Sequence, residues 1–284
     1  MPVEPPVASP RSLAEAYTLL ADAVHRPVAG GTDLLVQITG ELGDPPERVL
    51  DIWHLDELRG IRMQQNALVL GTLTTYAEIR RSPLIAEFLP AFAEAAATIG
   101  AAQIQNRGTI GGNAMNASPA GDMLPLLLAC DAQLVAGKRD GERWIPVREF
   151  WPRYRQTALE PMELLLRISI PLPSGRQLRY RKVGTRRAQA ISKVVMALAW
   201  QADGKGTWHD VHLALGSVAP TPIRVPATET VLEGAPPTEA TADRAASTLA
   251  GELSPIDDVR SSADYRRAVA ARVLHRLIRD EGGW

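Results

Sequence analysis

Cysteine is almost absent from this chain of 284 residues, in which Cys130 is the sole thiol. One cysteine excludes an internal disulfide and a cluster of thiolates that could hold zinc or an iron–sulfur centre. Any iron–sulfur relay must therefore belong to a partner. Cys130 lies in an apolar helical segment without an adjacent histidine, so we expect a buried, inert thiol.

Aromatic residues and net charge are also scarce. With 5% aromatic residues and a formal net charge of −1, the chain lacks the stacking platforms and the basic field that nucleic-acid binding requires. No apolar run reaches the roughly 20 residues that span a bilayer, and the first residues lack the pattern of a signal peptide. We therefore expect a globular, cytoplasmic protein with no membrane span and no nucleic-acid partner.

Several common motifs are missing as well. The chain has no Rossmann G-x-G-x-x-G, no G-x-x-x-x-G-K-[ST] phosphate loop, no G-x-S-x-G and no H-E-x-x-H. His209 and His212 lie three residues apart in a strand-like segment, so they should face opposite sides of that strand. We expect neither a metal site nor a catalytic side chain.

What is present is a pair of glycine loops about eighty residues apart. The first is residues 27–34, PVAGGTDL, and the second is residues 108–113, GTIGGN. Adjacent glycines accept positive φ and lack Cβ atoms, so consecutive backbone N–H groups can converge on an anion. One such loop could be an ordinary tight turn, but the pair predicts two turns that enclose a dinucleotide diphosphate.

Two further segments offer polar groups for a ligand. Residues 116–122 combine small and polar side chains, and they end at Asp122, which could accept hydrogen bonds from a ligand or cap a helix. Residues 179–187 are strongly basic. They could form a solvated loop, or Lys182 could stand beside a cofactor that gains negative charge on reduction.

Periodicity and turn signals predict an α+β chain. An S-x-x-E capping box starts a helix at Ser12, and a linker at residues 171–175 precedes a separate unit of strands followed by helices. Strands are expected at residues 48–52, 68–71, 163–171, 178–183, 193–201 and 211–216, a hairpin at 133–147, and helices at 12–22, 82–100, 240–251 and 262–279.

The motifs resemble those of the FAD-binding medium subunit of molybdenum hydroxylases, the family of carbon monoxide dehydrogenase and xanthine dehydrogenase flavoproteins. The resemblance rests on AGGTDLL at residues 29–35, RGTIGGN at 107–113 continuing to Asp122, and Lys182 with LGSVAPTP at 215–222. It implies a PCMH-type FAD-binding domain at residues 1–174, with subdomains of about 1–55 and 56–174, and a smaller α+β C-terminal domain at 175–284.

The resemblance also implies the cofactor contacts. The diphosphate and ribityl chain of FAD would lie between the two loops, Asp122 would hydrogen-bond the cofactor, Ile99 and Leu165 would pack against it, and Lys182 would lie near the flavin head. The loop residues concerned are Pro27, Val28, Ala29, Gly30, Gly31, Thr32, Asp33, Leu34, Thr109, Ile110, Gly111, Gly112 and Asn113.

By the same resemblance, the chain is the electron-transfer subunit of a dimer of heterotrimers. A large subunit would carry the molybdenum cofactor, a small subunit would carry [2Fe–2S] clusters, and FAD would pass electrons to NAD or a quinone. An alternative is a stand-alone FAD-dependent reductase related to UDP-N-acetylenolpyruvoylglucosamine reductase, although no counterpart of its substrate domain is evident. A subunit that has lost FAD is a third possibility, which the completeness of both loops disfavours.

Overall fold

The chain folds around three β-sheets in a computed structural model that describes residues 5–40, 44–186 and 189–284. The first is a parallel sheet of order β1-β3-β2, formed by β1 (Val7–Ala8), β2 (Arg26–Val28) and β3 (Val49–Asp51), with helices α1 (Leu13–Asp22) and α2 (Leu34–Thr39). Ser12 caps α1 by accepting from the Glu15 N–H, whereas the Glu15 carboxylate accepts from Arg11 and not from Ser12. The first glycine loop connects β2 to α2.

The second sheet is antiparallel, with order β4-β5-β8-β6-β7. Its strands are β4 (Ile61–Gln64), β5 (Ala67–Gly71), β6 (Gln133–Lys138), β7 (Gly141–Pro146) and β8 (Leu164–Pro171). The seven helices between β5 and β8 are α3 (Tyr76–Arg81), α4 (Pro83–Phe88), α5 (Pro90–Thr98), α6 (Ala102–Arg107), α7 (Ile110–Asn116), α8 (Leu124–Ala129) and α9 (Val147–Phe150).

The third sheet is antiparallel, with order β12-β11-β10-β9. Its strands are β9 (Gln177–Val183), β10 (Val194–Ala202), β11 (Trp208–Gly216) and β12 (Ile223–Arg224), followed by α10 (Pro226–Leu232), α11 (Glu239–Glu252) and α12 (Ala263–Gly282). No helix in the described ranges is long and apolar enough to cross a bilayer.

Strand β10 explains how the third sheet joins the rest of the molecule. Side chains alternate between the two faces of a strand. Val195 and Ala197 accordingly pack into the core of the second sheet and α8, whereas Met196 and Leu198 pack against α11 and α12. Because both faces are covered, β10 reads as a nearly continuous hydrophobic run.

The α+β class and most of the expected elements are confirmed, with two corrections. The single helix expected at residues 82–100 is two helices, because Pro90 disfavours helical geometry at Leu89, which adopts φ −139° and ψ 53°. The second glycine loop is not a simple turn, since Gly111, Gly112 and Asn113 lie in the first turns of α7. Helices α2, α3, α6, α9 and α10 and strands β1, β2, β4 and β12 were not anticipated.

Candidate cofactor site

The first glycine loop leaves its backbone donors free. Gly31 has φ +73°, and the backbone N–H groups of Gly30, Gly31, Thr32, Asp33 and Leu34 donate no hydrogen bond to any residue that the structure describes. Five consecutive free N–H groups at the end of a strand form a concave set of donors, which suits an anion such as a diphosphate.

The two glycine loops touch each other. A Cβ atom at Gly30 would lie 1.7 Å from the Arg107 carbonyl oxygen, immediately before the second loop. Within that loop, a Cβ atom at Gly111 would lie 1.7 Å from Thr72 Oγ1. Both glycines are therefore required for close approach of backbone segments, while only Gly31 needs glycine for its positive φ.

The second glycine loop is not a nest of free N–H groups, contrary to the expectation from its sequence. Thr109 caps α7, and its hydroxyl accepts from the Gly112 N–H at 2.9 Å. The N–H groups of Gly111 and Asn113 donate to the carbonyls of Thr72 and Thr109, each at 3.0 Å. The loop therefore offers side chains and a close backbone surface to a ligand, and anion binding by backbone donors falls to the first loop.

Two adjoining clefts run along these loops. The walls of the first, which we call the loop cleft, include Pro27, Val28, Ala29, Gly30, Gly31, Thr32, Asp33, Leu34, Thr109, Gly111, Gly112, Asn113 and Leu165. The second, the interdomain cleft, is lined by Ile99, Asp122 and Lys182, among others. Thr32, Asp33 and Asn113 line both clefts and so mark their junction.

Ile110 is the one expected contact residue that lines neither cleft. Its side chain is fully buried in the core beside the second sheet, and its N–H donates to the Thr74 carbonyl. Ile110 therefore packs α7 onto the core and does not face either cleft.

Asp122 and Lys182 form an ion pair across the interdomain cleft. Lys182 Nζ lies 2.6 Å from Asp122 Oδ2 and 3.2 Å from the Thr98 carbonyl oxygen, and the Ser192 hydroxyl bonds Asp122 Oδ1. Burial raises the pKa of Asp122, an effect that Lys182 and Ser192 partly oppose. Asp122 is not a helix cap, because Met123 is the residue before α8.

The basic segment is mostly a strand and not a solvated loop. Arg179 pairs with Glu281 of α12, Arg181 bonds the Tyr180 carbonyl, and Lys182 turns towards the cleft. Arg186 donates to the Gln189 carbonyl, while Arg187 lies outside the described residues. Lys182 therefore lines the cleft with Asp122 as its ionic partner, and its position beside a cofactor stays a prediction.

The remaining candidate groups are the Cys130 thiol and the side chains that could bind a metal ion. Cys130 is buried, and burial raises the pKa of its thiol to about 12. Over the described ranges, no group of His, Cys, Asp and Glu side chains could hold a metal ion.

Several cleft residues were missed from the sequence. Tyr76 is buried, lines both clefts, and has a pKa raised mainly by burial. Ser192 holds Asp122, and Asn116 Nδ2 donates to Asp33 Oδ1 at 3.0 Å. The sequence could have indicated Asn116, because this residue follows the second loop closely. No local sequence pattern marks Tyr76 or Ser192 as a cleft residue.

A loop cleft with free backbone donors and glycines at close contacts, which adjoins a second cleft lined by Asp122 and Lys182, fits a dinucleotide-binding protein. Residues 3–173 match the family described as the FAD binding domain in molybdopterin dehydrogenase, and residues 179–280 match the CO dehydrogenase flavoprotein C-terminal domain. The chain thus belongs to the FAD-binding subunits of the carbon monoxide dehydrogenase and xanthine dehydrogenase family. It is an oxidoreductase subunit, and its cofactor is FAD.

Individual relatives agree with this assignment. The chain is 32% identical to the carbon monoxide dehydrogenase medium chain of Hydrogenophaga pseudoflava, over 95% of this chain and 94% of the relative. It is 30% identical to a putative xanthine dehydrogenase FAD-binding subunit of Escherichia coli, over 96% and 95%. In the solved carbon monoxide dehydrogenase of H. pseudoflava, a chain 32% identical to this one superposes with a TM-score of 0.92, covering 97% of this chain and 96% of the other.

Proposed function

We propose that FAD extends from the loop cleft into the interdomain cleft. The free N–H groups of residues 30–34 would hold the diphosphate, Leu165 would pack in the loop cleft, and Ile99, Asp122 and Lys182 would surround the flavin head. The observation that carries this placement is the junction at Thr32, Asp33 and Asn113, where the two clefts meet beside the free donors. We place the domain division near residue 174, with subdomains meeting near residue 55.

The chain then serves as the electron-transfer subunit of a molybdenum hydroxylase. We propose that it takes electrons from [2Fe–2S] clusters of a small subunit and passes them to an acceptor such as NAD or a quinone. A large subunit with the molybdenum cofactor would oxidise the substrate, and the assembly would be a cytoplasmic dimer of heterotrimers. The names of relatives support a multi-subunit enzyme, since they include medium chains and a complex subunit.

The protein's part in the chemistry is to bind and to orient. Bound FAD supplies the electron and hydride transfer. The Asp122 carboxylate and the Thr98 carbonyl hold the Lys182 ammonium at the interdomain cleft, and the Ser192 hydroxyl donates to Asp122. Tyr76 lines the wall that both clefts share. None of these residues needs to act as a nucleophile.

The charge balance at Lys182 gives a first prediction. Replacing Asp122 by Asn leaves the Lys182 ammonium without its carboxylate, so the reduced state of FAD gains stability and the reduction potential should rise by roughly 30 mV, about 1.4 kcal/mol for two electrons. In Lys182→Met, the buried Asp122 can take up a proton and remain neutral, so we expect a smaller shift. Spectroelectrochemical titration of both FAD-loaded variants measures the reduction potential of the flavin. A potential that falls in Asp122→Asn would contradict the placement of the flavin beside this pair.

Co-expression with the neighbouring subunits tests the larger proposal. The purified complex should contain molybdenum, iron and FAD, and oxidation of the enzyme's substrate should bleach the flavin absorption at about the rate of turnover. Stopped-flow mixing of the reduced complex with NAD or a quinone then identifies the acceptor. A chain that purifies with flavin but never associates with iron- and molybdenum-containing partners would overturn the subunit role.

The structure and the comparisons do not favour the stand-alone reductase. That enzyme class needs a substrate domain with a general acid, whereas residues 179–280 match the C-terminal domain of the CO dehydrogenase flavoproteins. Nicotinamide-dependent reduction of the nucleotide-sugar substrate by the chain alone would restore this alternative.

A further inference from the structure

The two glycine loops contain no positive charge with which to balance a diphosphate. Residues 27–34 and 108–113 include one charged side chain, Asp33, which has the same sign as the phosphates. Lys182 is already paired with Asp122. A dinucleotide diphosphate carries negative charge on both phosphates, and proteins commonly balance such charge with a guanidinium group. A guanidinium that balances this charge would therefore lie outside the two loops, as Arg26 does in the loop cleft and Arg155 does in the interdomain cleft.

Arg155 lines the interdomain cleft and contacts Asn116, which lines both clefts. Arg153 and Gln156 form an isolated antiparallel bridge, which places Tyr154 and Arg155 at the tip of a tight turn. Both tip residues are exposed, and both line the interdomain cleft. Arg155 has φ +53°, a backbone conformation that is unfavourable for a side chain of this size, so the turn holds its residue in a strained position.

The hydrogen bonds of Arg155 go to neutral groups. Its Nη1 lies 3.4 Å from Asn116 Oδ1 and its Nε lies 3.2 Å from the Tyr154 hydroxyl. No carboxylate of the described residues lies within ion-pair distance of its guanidinium, in contrast to Arg143 and Arg167. Its charge is therefore not cancelled by a direct partner.

A chain of contacts connects Arg155 to the first glycine loop. Asn116, which accepts from Arg155, donates to Asp33 Oδ1 at 3.0 Å. Asp33 and Asn116 line both clefts. Burial raises the pKa of Asp33, and the charge of Arg155 opposes that rise, so the guanidinium is close enough to act on the loop electrostatically.

We propose that Arg155 is a diphosphate-binding residue, whose guanidinium pairs with the phosphates of FAD held by the first glycine loop. The assignment rests on the proposed placement of FAD across the two clefts. An incoming nicotinamide dinucleotide carries the same diphosphate chemistry, but the link through Asn116 to Asp33 places Arg155 beside the loop that holds FAD. Tyr154 and Arg155 thus form a third element of the cofactor site, formed by the segment between α9 and β8.

Ligand binding to the full-length apoprotein tests this proposal. The variants are Arg155→Ala, Arg155→Lys and Arg155→Gly, with Arg153→Ala as the matched control, because Arg153 belongs to the same turn but lines neither cleft. The probes are FAD, ADP, which keeps the diphosphate, and riboflavin, which has none. Arg155→Gly accepts the positive φ without strain, so its unfolding temperature should equal or exceed that of the wild type while the charge is lost.

We expect Arg155→Ala and Arg155→Gly to weaken FAD and ADP binding by about tenfold to a hundredfold, the effect of losing a charged hydrogen-bond partner. Riboflavin binding should not change, Arg155→Lys should retain part of the affinity, and Arg153→Ala should behave as the wild type. Unchanged FAD and ADP affinities would overturn the proposal, as would an equal loss for riboflavin. An unchanged FAD affinity with a raised KM for NADH would assign Arg155 to the acceptor instead. Wild-type protein in which ADP does not compete with FAD would refute the placement of FAD itself.

Discussion

Single glycines decide whether the two loops can meet. Gly31 is needed for its backbone angle, whereas Gly30 and Gly111 are needed because backbone or side-chain atoms occupy the space that a Cβ atom would fill. The glycine pairs are visible in the sequence and predict an unusual backbone. Which neighbour each glycine touches depends on residues far away in the chain, such as Arg107 for Gly30.

Replacing Gly30 by Ala tests this close contact. The added methyl group would overlap the Arg107 carbonyl, so the loops must separate, and we expect the free energy of unfolding to fall by about 2–3 kcal/mol. FAD affinity should fall by at least tenfold, because the free donors move away from the second loop. Chemical denaturation and flavin fluorescence measure the two effects.

Gly204 provides the matched control. Nothing lies within 4 Å of a Cβ atom at Gly204, and this glycine does not have a positive φ. Gly204→Ala should therefore leave both quantities unchanged. A Gly30→Ala variant that binds FAD as the wild type does would show that the loops need not touch.

At the scale of elements, the short segments that precede strands hold the residues of the cofactor site in position. Strand β8 supplies Leu165 to the loop cleft, and its start is held by Glu163, whose side chain is 1% exposed. Arg143 of β7 donates to both carboxylate oxygens, at 2.6 and 2.7 Å, and also to the Ala158 carbonyl. The Arg143 guanidinium therefore connects the loop before β8 to the β6–β7 hairpin. The sequence predicts this hairpin, but it does not predict the contact with Glu163.

The Glu163–Arg143 pair predicts a dependence of stability on pH. The hydrogen bonds from Arg143 are the main cause that lowers the pKa of Glu163 below its ordinary value of 4.5. A lowered pKa in the folded state contributes stability above that ordinary value, and the contribution is lost as the pH falls through the lowered pKa.

Glu163→Gln should therefore lower the free energy of unfolding by about 2 kcal/mol at pH 7. The difference from the wild type should shrink steadily below pH 4.5, where the wild type loses the same charge. Urea unfolding at a series of pH values measures it. The exposed Glu149, whose partner Arg148 is also exposed, is the control, and Glu149→Gln should change little at any pH. A Glu163→Gln difference that is constant with pH would show that the effect is packing and not charge.

At the scale of the whole molecule, the C-terminal sheet is covered on both faces. Helix α8 packs against β10 and β11 on one face, and α11 and α12 cover the other. A polar cluster lies at the edge of this contact, where Asp131, just after α8, meets His212 of β11 and Arg224 of β12 at 3.3 and 3.2 Å. These contacts join the C-terminal sheet to the rest of the molecule.

Asp131→Asn tests how far this cluster holds the domains together. Asparagine tolerates the positive φ of 49° at this position, so the change removes the charge and keeps the backbone. We expect a loss of about 1 kcal/mol in the free energy of unfolding and faster amide exchange in β11 and β12. Asp140→Asn, in the exposed turn of the β6–β7 hairpin, should have no such effect. Unchanged amide exchange in Asp131→Asn would show that the apolar contacts alone hold the two domains together.

The amino-acid sequence by itself determined the features that depend on near neighbours or on residue type. One cysteine rules out a cluster of thiolates, alternating and helical patterns predict most strands and helices, and the two glycine loops predict a bound dinucleotide. The tertiary structure alone decided which loop keeps free N–H groups, that Asp122 is paired with Lys182, and that Arg155 lines the interdomain cleft beside Asn116. The reason is physical: a hydrogen bond or ion pair between residues distant in the chain depends on how the sheets and helices pack, and no local pattern encodes the partner.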